Sequence, residues 1–357
     1  MLTVLPYGKN LYPGLLIIKT LLLSALEIIV ISPLLPDYVK ERTMGLAGGY
    51  IHIATGLSAT VFSFGLLQMA QSLDLAYVCW TAGAISLLIS LYCLFFIVDT
   101  FAKSTRLKQS TRLKQSTLSH SAEQDSRSCW SKAFESISYS CRITRKRKYL
   151  IAVYLAGISQ RVLDLSFIQI ISVWVSKYVY HGDYHRTSRH SSITLGVSNI
   201  VVIPLGVLFG LSYDKCGEFF TLSVTFFCAG FPYIVLYFMS DFDSVLSLGL
   251  QIFATTFSIL TNAMSSIMIG RHSPKEGVGK VYAFRSFVAG LFMVGFSYLS
   301  GWIMDQSFSK VTFLIVGGLA LAQVGMFIGI RLCCKKIEDV HFGEEEEDWA
   351  LLFSPQD

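Results

Sequence analysis

Apolar residues in this chain gather into long, near-continuous runs, and polar residues fill the stretches between them. Nine runs of 21 to 27 residues stand out: Leu11–Leu35, Leu46–Met69, Leu75–Val98, Tyr149–Val175, Ile193–Tyr213, Phe219–Met239, Val245–Gly270, Val281–Met304 and Val311–Leu332. At about 1.5 Å per residue, each is long enough as a helix to cross a hydrocarbon core about 30 Å thick. None shows the two-residue alternation of a membrane-barrel strand, and a helix satisfies its own backbone in lipid. The pattern predicts an all-α polytopic membrane protein with about nine transmembrane helices.

The polar segment Asp99–Lys148 separates three predicted spans from six. It contains a tandem duplication, Ser104–Gln109 and Ser110–Gln115, each reading STRLKQ. A short repeated polar tract has too little apolar surface to bury, so a flexible, solvent-exposed linker is expected there. The chain divides accordingly into a three-span part (1–98), a basic linker (99–148), a six-span part (149–333) and an acidic tail (334–357).

Composition agrees with the pattern. Of 357 residues, 53% are hydrophobic and only 15% charged, with a mean hydropathy of +0.54. A soluble chain carries about a quarter charged residues. Basic residues are also lopsided: with the linker in the cytosol, 21 lysines and arginines fall on the cytosolic side and five on the other. That asymmetry sets orientation, placing the C-terminus in the cytosol and the N-terminus outside or in a lumen. The net charge of +5 therefore reports topology. No nucleic-acid partner is expected, since the basic linker has no fold motif or stacking platform beside it. The eight cysteines form no CxxC pair and no metal-ligand spacing, and read as reduced packing residues. Cys333 and Cys334, next to Lys335 and Lys336, stand where S-palmitoylation occurs. The first apolar run has span length and no small-residue cleavage site, so it is read as a span and not as a signal peptide.

The fifth predicted span ends in GLFGLSYDKCGEFF. Within it, Gly210-x-x-x-Asp214-Lys215-x-Gly217 resembles the GxxxD(R/K)xG loop signature of the major facilitator superfamily. Physically, Gly210 lets helices approach closely, Gly217 permits a tight reversal, and Asp214 can face the positive end of a helix from the other half. The resemblance implies a cytosolic latch whose breaking accompanies inward opening. Two further stretches, Pro36–Gly45 and Ser273–Lys280, each precede a glycine-dotted helix, with Gly48, Gly49 and Gly56 in one and Gly290, Gly295 and Gly301 in the other. Both resemble the connection between the fourth and fifth helices of each half of that superfamily. The match implies family helices four to twelve: a partial N-terminal bundle plus a complete six-helix C-terminal bundle. Nothing corresponds to the first three family helices or to the first copy of the loop signature. Truncation is the favoured expectation, with a partner supplying the missing wall as the alternative.

Polar residues inside spans are costly and usually face a cavity or a partner. The fourth span holds the richest set, Ser159, Gln160, Arg161, Asp164 and Gln169. Arg161 and Asp164 are three apart, hence neighbours on one helix face. They are candidates for substrate binding or proton coupling, with a structural ion pair as the competing reading. Glu27 in the first span either exchanges protons or sits neutral and hydrogen-bonded. Asn199, Asn262 and Gln323 are candidates for bonds between helices or for the solute pathway. His52 is expected to be hydrated at the interface, and Arg285 to snorkel toward the cytosol. The histidine-bearing loop Lys177–His190 is expected to be solvated.

No P-loop, GxSxG, HExxH or dinucleotide fingerprint occurs, so neither an enzyme nor an ATP-driven pump is expected, and no cofactor or metal. In the tail, Glu347-x-x-x-Leu351-Leu352 resembles the acidic dileucine signal that sorting adaptors read, with a solvated acidic tail as the plainer reading. The expected function is secondary active or facilitative transport of a small polar solute by alternating access, with proton coupling open. The expected partners are the bilayer, the solute and sorting adaptors, and the membrane is endosomal, lysosomal or plasma. A non-transporting isoform that regulates a full-length carrier is the alternative.

Overall fold

A computed structural model describes residues 44–72, scattered positions from 77 to 91, and residues 129–146, 150–273, 278–306 and 309–333. Every element found there is helical. They are α1 (Met44–Ser72), α2 (Cys129–Lys146), α3 (150–179), α4 (Tyr184–Cys216), α5 (Glu218–Phe238), α6 (Val245–His272), α7 (Val278–Asp305) and α8 (Val311–Cys333). Five helices have the length and apolarity to cross a membrane: His185–Cys216, Glu218–Phe238, Val245–His272, Gly279–Asp305 and Val311–Leu332. The chain is an integral multi-pass membrane protein. Glu27, the tandem repeat, Cys334, Glu347, Leu351 and Leu352 lie outside the described residues, as do the side chains of His52 and Gln169.

Two regions differ from the sequence reading by more than a turn. The predicted loop Lys177–His190 shrinks to a turn at residues 180–183, because α4 begins nine residues before the predicted start at Ile193. Asp183 starts it: its carboxylate accepts from the amide of Arg186 at 3.1 Å and satisfies an otherwise orphaned donor. The first two turns of α4 are polar, so an apolar window misses them. His185 and His190 therefore lie on a helix, not in a loop. The linker, too, is not irregular throughout. Its distal part forms α2, which docks on the start of α7 through Ser140, whose hydroxyl donates to the Lys280 carbonyl at 3.1 Å. The Lys280 ammonium lies 4.9 Å from the Tyr139 ring centre.

Contacts across the bundle sort the helix termini into two ends. At one, α4 turns into α5 at Gly217, with φ +90°, where a side chain would be strained. The same end gathers Lys215, Arg271, Lys280 and Arg331, the last lying over the Phe220 ring at 5.6 Å. The opposite end is tied by Lys177 to Asp305 at 2.9 Å, Tyr178 to the Met304 carbonyl at 2.6 Å and Tyr180 to Asp243 at 3.0 Å. The basic end is thus a structural unit, in keeping with the charge asymmetry along the chain.

Small residues bring the helices together. Along α1 and α4, a Cβ on Gly45 would meet the Gly210 carbonyl at 2.5 Å, and one on Gly49 the Gly206 carbonyl at 2.8 Å. One on Gly56 would lie 3.1 Å from the Asn199 carbonyl. Near the far end of this seam the Ser192 hydroxyl donates to the Ser63 carbonyl at 2.9 Å. In a bilayer, where apolar area has no water to escape, such close packing and hydrogen bonding are what hold helices to one another. The α5–α8 pair repeats the device with Gly230, Gly317 and Ala320. Gly295 and Gly301 on α7 meet nothing within 4 Å and make no seam. Large apolar side chains such as Leu208, Leu291, Tyr298 and Trp302 are exposed on the outside, as a lipid-facing surface requires.

Gly210→Ala would wedge the seam backbone to backbone and is expected to destabilise the protein by about 1–3 kcal/mol. Gly249→Ala, in open space on α6, should be neutral or stabilising, by up to about 1 kcal/mol from helix propensity. Thermal unfolding of both variants in detergent checks the contrast.

Candidate functional site

Helix α3 carries the polar cluster that its sequence announces. Arg161 lies about 16 Å in from Leu150 at 1.5 Å per residue, far from either end of the helix. Gln160 is fully buried and donates from Nε2 to the Asp164 carboxylate one turn on. Its Oε1 accepts from Nη2 of Arg285 on α7 at 3.0 Å. The same Nη2 donates to the Ser265 hydroxyl on α6 at 3.0 Å. Arg161 and Arg285 both lie within electrostatic reach of Asp164, as does Asp164 of the buried Tyr233 on α5. Three helices of the bundle thus converge on one glutamine–aspartate pair, and a fourth stands beside it.

Arg285 corrects the expectation that it snorkels to the interface. Its side chain is only 6% exposed and runs inward across Gly157. A Cβ on Gly157 would collide with the Arg285 Nε, so the glycine supplies the groove in which the guanidinium lies. In the sequence, only its place three residues before Gln160 marks Gly157 out. Directly after the cluster, α3 widens into π-helix at Ser166–Ile171 and again at Val175–Val179. Such widenings are often found at functional positions.

The loop signature forms a second site at the basic end. Asp214 accepts from the amides of Gly45 and Leu46, both at 3.0 Å. These amides stand at the start of the described part of α1, and the carboxylate acts on them as a cap supplied by a distant helix. The Gly45–Gly210 approach leaves room for it. Lys215 is exposed and takes no part in the cap. Next to it lies a network that sequence reasoning missed. Glu218, in the first turn of α5, is buried and meets Nε2 of His272. It also accepts from the Tyr213 hydroxyl at 3.0 Å and has Arg271 at 4.0 Å. A buried carboxylate requires such partners. The signal lay in the polar pair Arg271-His272 closing an apolar run.

The remaining candidates do not join either site. Asn199 is buried but bonds the Leu195 carbonyl of its own helix at 2.8 Å. Asn262 offers its backbone carbonyl to Ser265 at 3.1 Å. Gln323 is buried, and its Nε2 has no acceptor among the described residues. Among the loop histidines, His181 and His185 are exposed. His190 contacts the Tyr180 hydroxyl at 3.3 Å and Gln251 at 2.8 Å. Burial and the adjacent Asp243 carboxylate push the Tyr180 phenol up to about 12. No group of three potential metal ligands occurs among the described residues.

The sequence profile of the Major Facilitator Superfamily matches residues 14–291. No curated protein matches the chain.

Asp214→Ala should cost the α1 terminus about 0.5–2 kcal/mol. Amide exchange at Gly45 and Leu46 is therefore expected to accelerate roughly 2- to 30-fold, with the far end of α1 unchanged. For Tyr180, the folded protein favours the neutral phenol. The stability this gives is full below pH about 10 and lost as pH rises through about 12. An ultraviolet titration lacking that late step in Tyr180→Phe assigns it.

Proposed function

Because the chain belongs to the major facilitator superfamily and is a membrane transporter of that family, we propose that it moves a small polar solute by alternating access. In this reading two helical halves rock about a central site held near the bilayer midplane. The observation that carries it is the polar cluster of α3. Arg161, Gln160 and Asp164 lie midway along α3, packed against α6 and α7, with Arg285 reaching in from α7. Ionisable groups at that depth are expensive and are kept where they line a pathway. Arg161 would engage the solute, and Asp164, a carboxylate between two cations, would take up and release the coupling proton.

The cap on α1 would serve as the latch. When Asp214 holds the Gly45 and Leu46 amides, the two halves stay joined at the basic end. Its release would free them to part there. With no nucleotide-binding motif in the chain, an ion gradient or the solute's own gradient supplies the energy. In the tail, Glu347, Leu351 and Leu352 would route the carrier to endosomes or lysosomes through sorting adaptors.

Uptake by proteoliposomes, with and without an imposed pH gradient, tests the reading. Arg161→Ala removes a charged donor worth about 1.5–3 kcal/mol, so uptake should fall roughly tenfold or more. Asp164→Asn should abolish the response to the gradient while leaving exchange of solute. Wild-type uptake indifferent to pH would remove proton coupling, and unaltered uptake in both variants would move the site off α3.

A further inference from the structure

Three formal charges of the described spans meet in one cluster: Arg161 and Asp164 midway along α3, and Arg285 from near the start of α7. Arginine stays protonated in proteins. The set therefore carries +1 when Asp164 is ionised and +2 when it is protonated, and it is positive at every stage of a proton cycle. Asp164 is shared: Gln160 donates to it, and both arginines lie within its reach. Arg285 meets that carboxylate through Gln160, whose Oε1 accepts from the arginine and whose Nε2 donates to the aspartate.

Arg285 is also under-used as a donor. Its Nη2 is engaged by Gln160 and Ser265. Nε is buried with no acceptor among the described residues, and none of them accepts from Nη1. A guanidinium that is more than nine-tenths buried, with unmet donors and no carboxylate of its own, is costly to hold. The side chain reaches this place by lying along the groove at Gly157. A structural role would be served by a neutral side chain bonding Gln160. Excess positive charge and spare planar donors together are what a carboxylate recognises.

We propose that Arg285 forms an anion-binding subsite beside Gln160 and Asp164, and that the transported solute is a small organic carboxylate. The inference rests on the transporter reading above and names its substrate class. The solute's carboxylate supplies the missing negative charge and accepts from the unmet donors of Arg285. A neutral solute leaves the charge uncompensated, and a cation adds to it.

The test uses the full chain, purified and reconstituted, with labelled pyruvate, inorganic phosphate, glucose and lysine. Pyruvate is expected to raise the thermal unfolding midpoint and to be taken up, with glucose and lysine inert in both assays. Arg285→Gln should lower pyruvate uptake at least about tenfold, with partial recovery in Arg285→Lys. Gly157→Ala displaces the guanidinium while keeping its charge and should raise KM for pyruvate more than it lowers kcat. It decides the matter if Arg285→Gln fails to fold. Uptake of glucose or lysine without competition from pyruvate would overturn the carboxylate class and leave the transporter reading standing. Uptake and stabilisation by phosphate alone would overturn it in favour of an inorganic oxyanion. No uptake of any of the four, from protein that pyruvate does not stabilise, would sink this inference together with the reading it rests on.

Discussion

How closely α1 can approach α4 governs the rest of the structure. Where a Cβ would stand 2.5 Å from a facing carbonyl, only glycine permits the contact, and Gly45 and Gly210 each provide for the other. The approach brings the first amides of α1 within reach of a carboxylate on another helix. Asp214 then does for α1 what a local capping residue does for a soluble helix. The seam continues through Gly49 and Gly56 to Ser63, so the two helices touch along most of the length of α1. A contact made of small residues and a few hydrogen bonds holds firmly when closed, yet it has little interdigitated bulk to unpick. That is a mechanical property suited to the opening proposed for this seam.

The interior formed by α3 to α8 follows a different constraint. Charges placed deep in lipid need partners, and α3, α6 and α7 supply them to one another. Gln160 is central because an amide both donates and accepts. It joins an aspartate one turn away to an arginine on a separate helix. The π-helical widening that begins at Ser166 comes directly after this cluster, where α3 carries its polar side chains. At the basic end, the Glu218, His272, Tyr213 and Arg271 network ties α4, α5 and α6 together beside the Asp214 cap. Among the described residues, charged side chains thus gather around the Gln160–Asp164 pair and at the two ends, while uncharged polar groups are spread along the helices between.

Much of this was legible in the sequence, for reasons that can be named. Helices α6 and α8 start where their apolar runs start, Val245 and Val311, and end within two residues of the predicted positions. Hydropathy alone fixes such helices. Gly217 could be read because a reversal between two buried helices needs a residue tolerant of positive φ. The reach of Asp214 to α1 could be read because the loop signature carries its own electrostatics. Other features could not be read. The start of α4 is polar and is set by Asp183, one side chain in a turn. The fate of Arg285 depends on Gln160, far away in sequence, and on the missing side chain of Gly157. A window of hydropathy sees an arginine near a span's end and places it in water. Pairing in three dimensions draws it inward instead, and no local pattern records that.

In the proposed cycle the α1–α4 seam is the moving joint, and Asp214 holds it at the basic end. Pulsed electron-spin distance measurement tests this most directly, with one label pair at Tyr50 and Cys216 and a second at Val61 and His185, all exposed positions. The account predicts a single short distance for the first pair in the wild type. In Asp214→Ala a longer population should appear in that pair, with no lengthening in the second. Identical distance distributions in the two proteins would contradict it, leaving the cap as a static helix terminus and the opening of the carrier to be sought elsewhere.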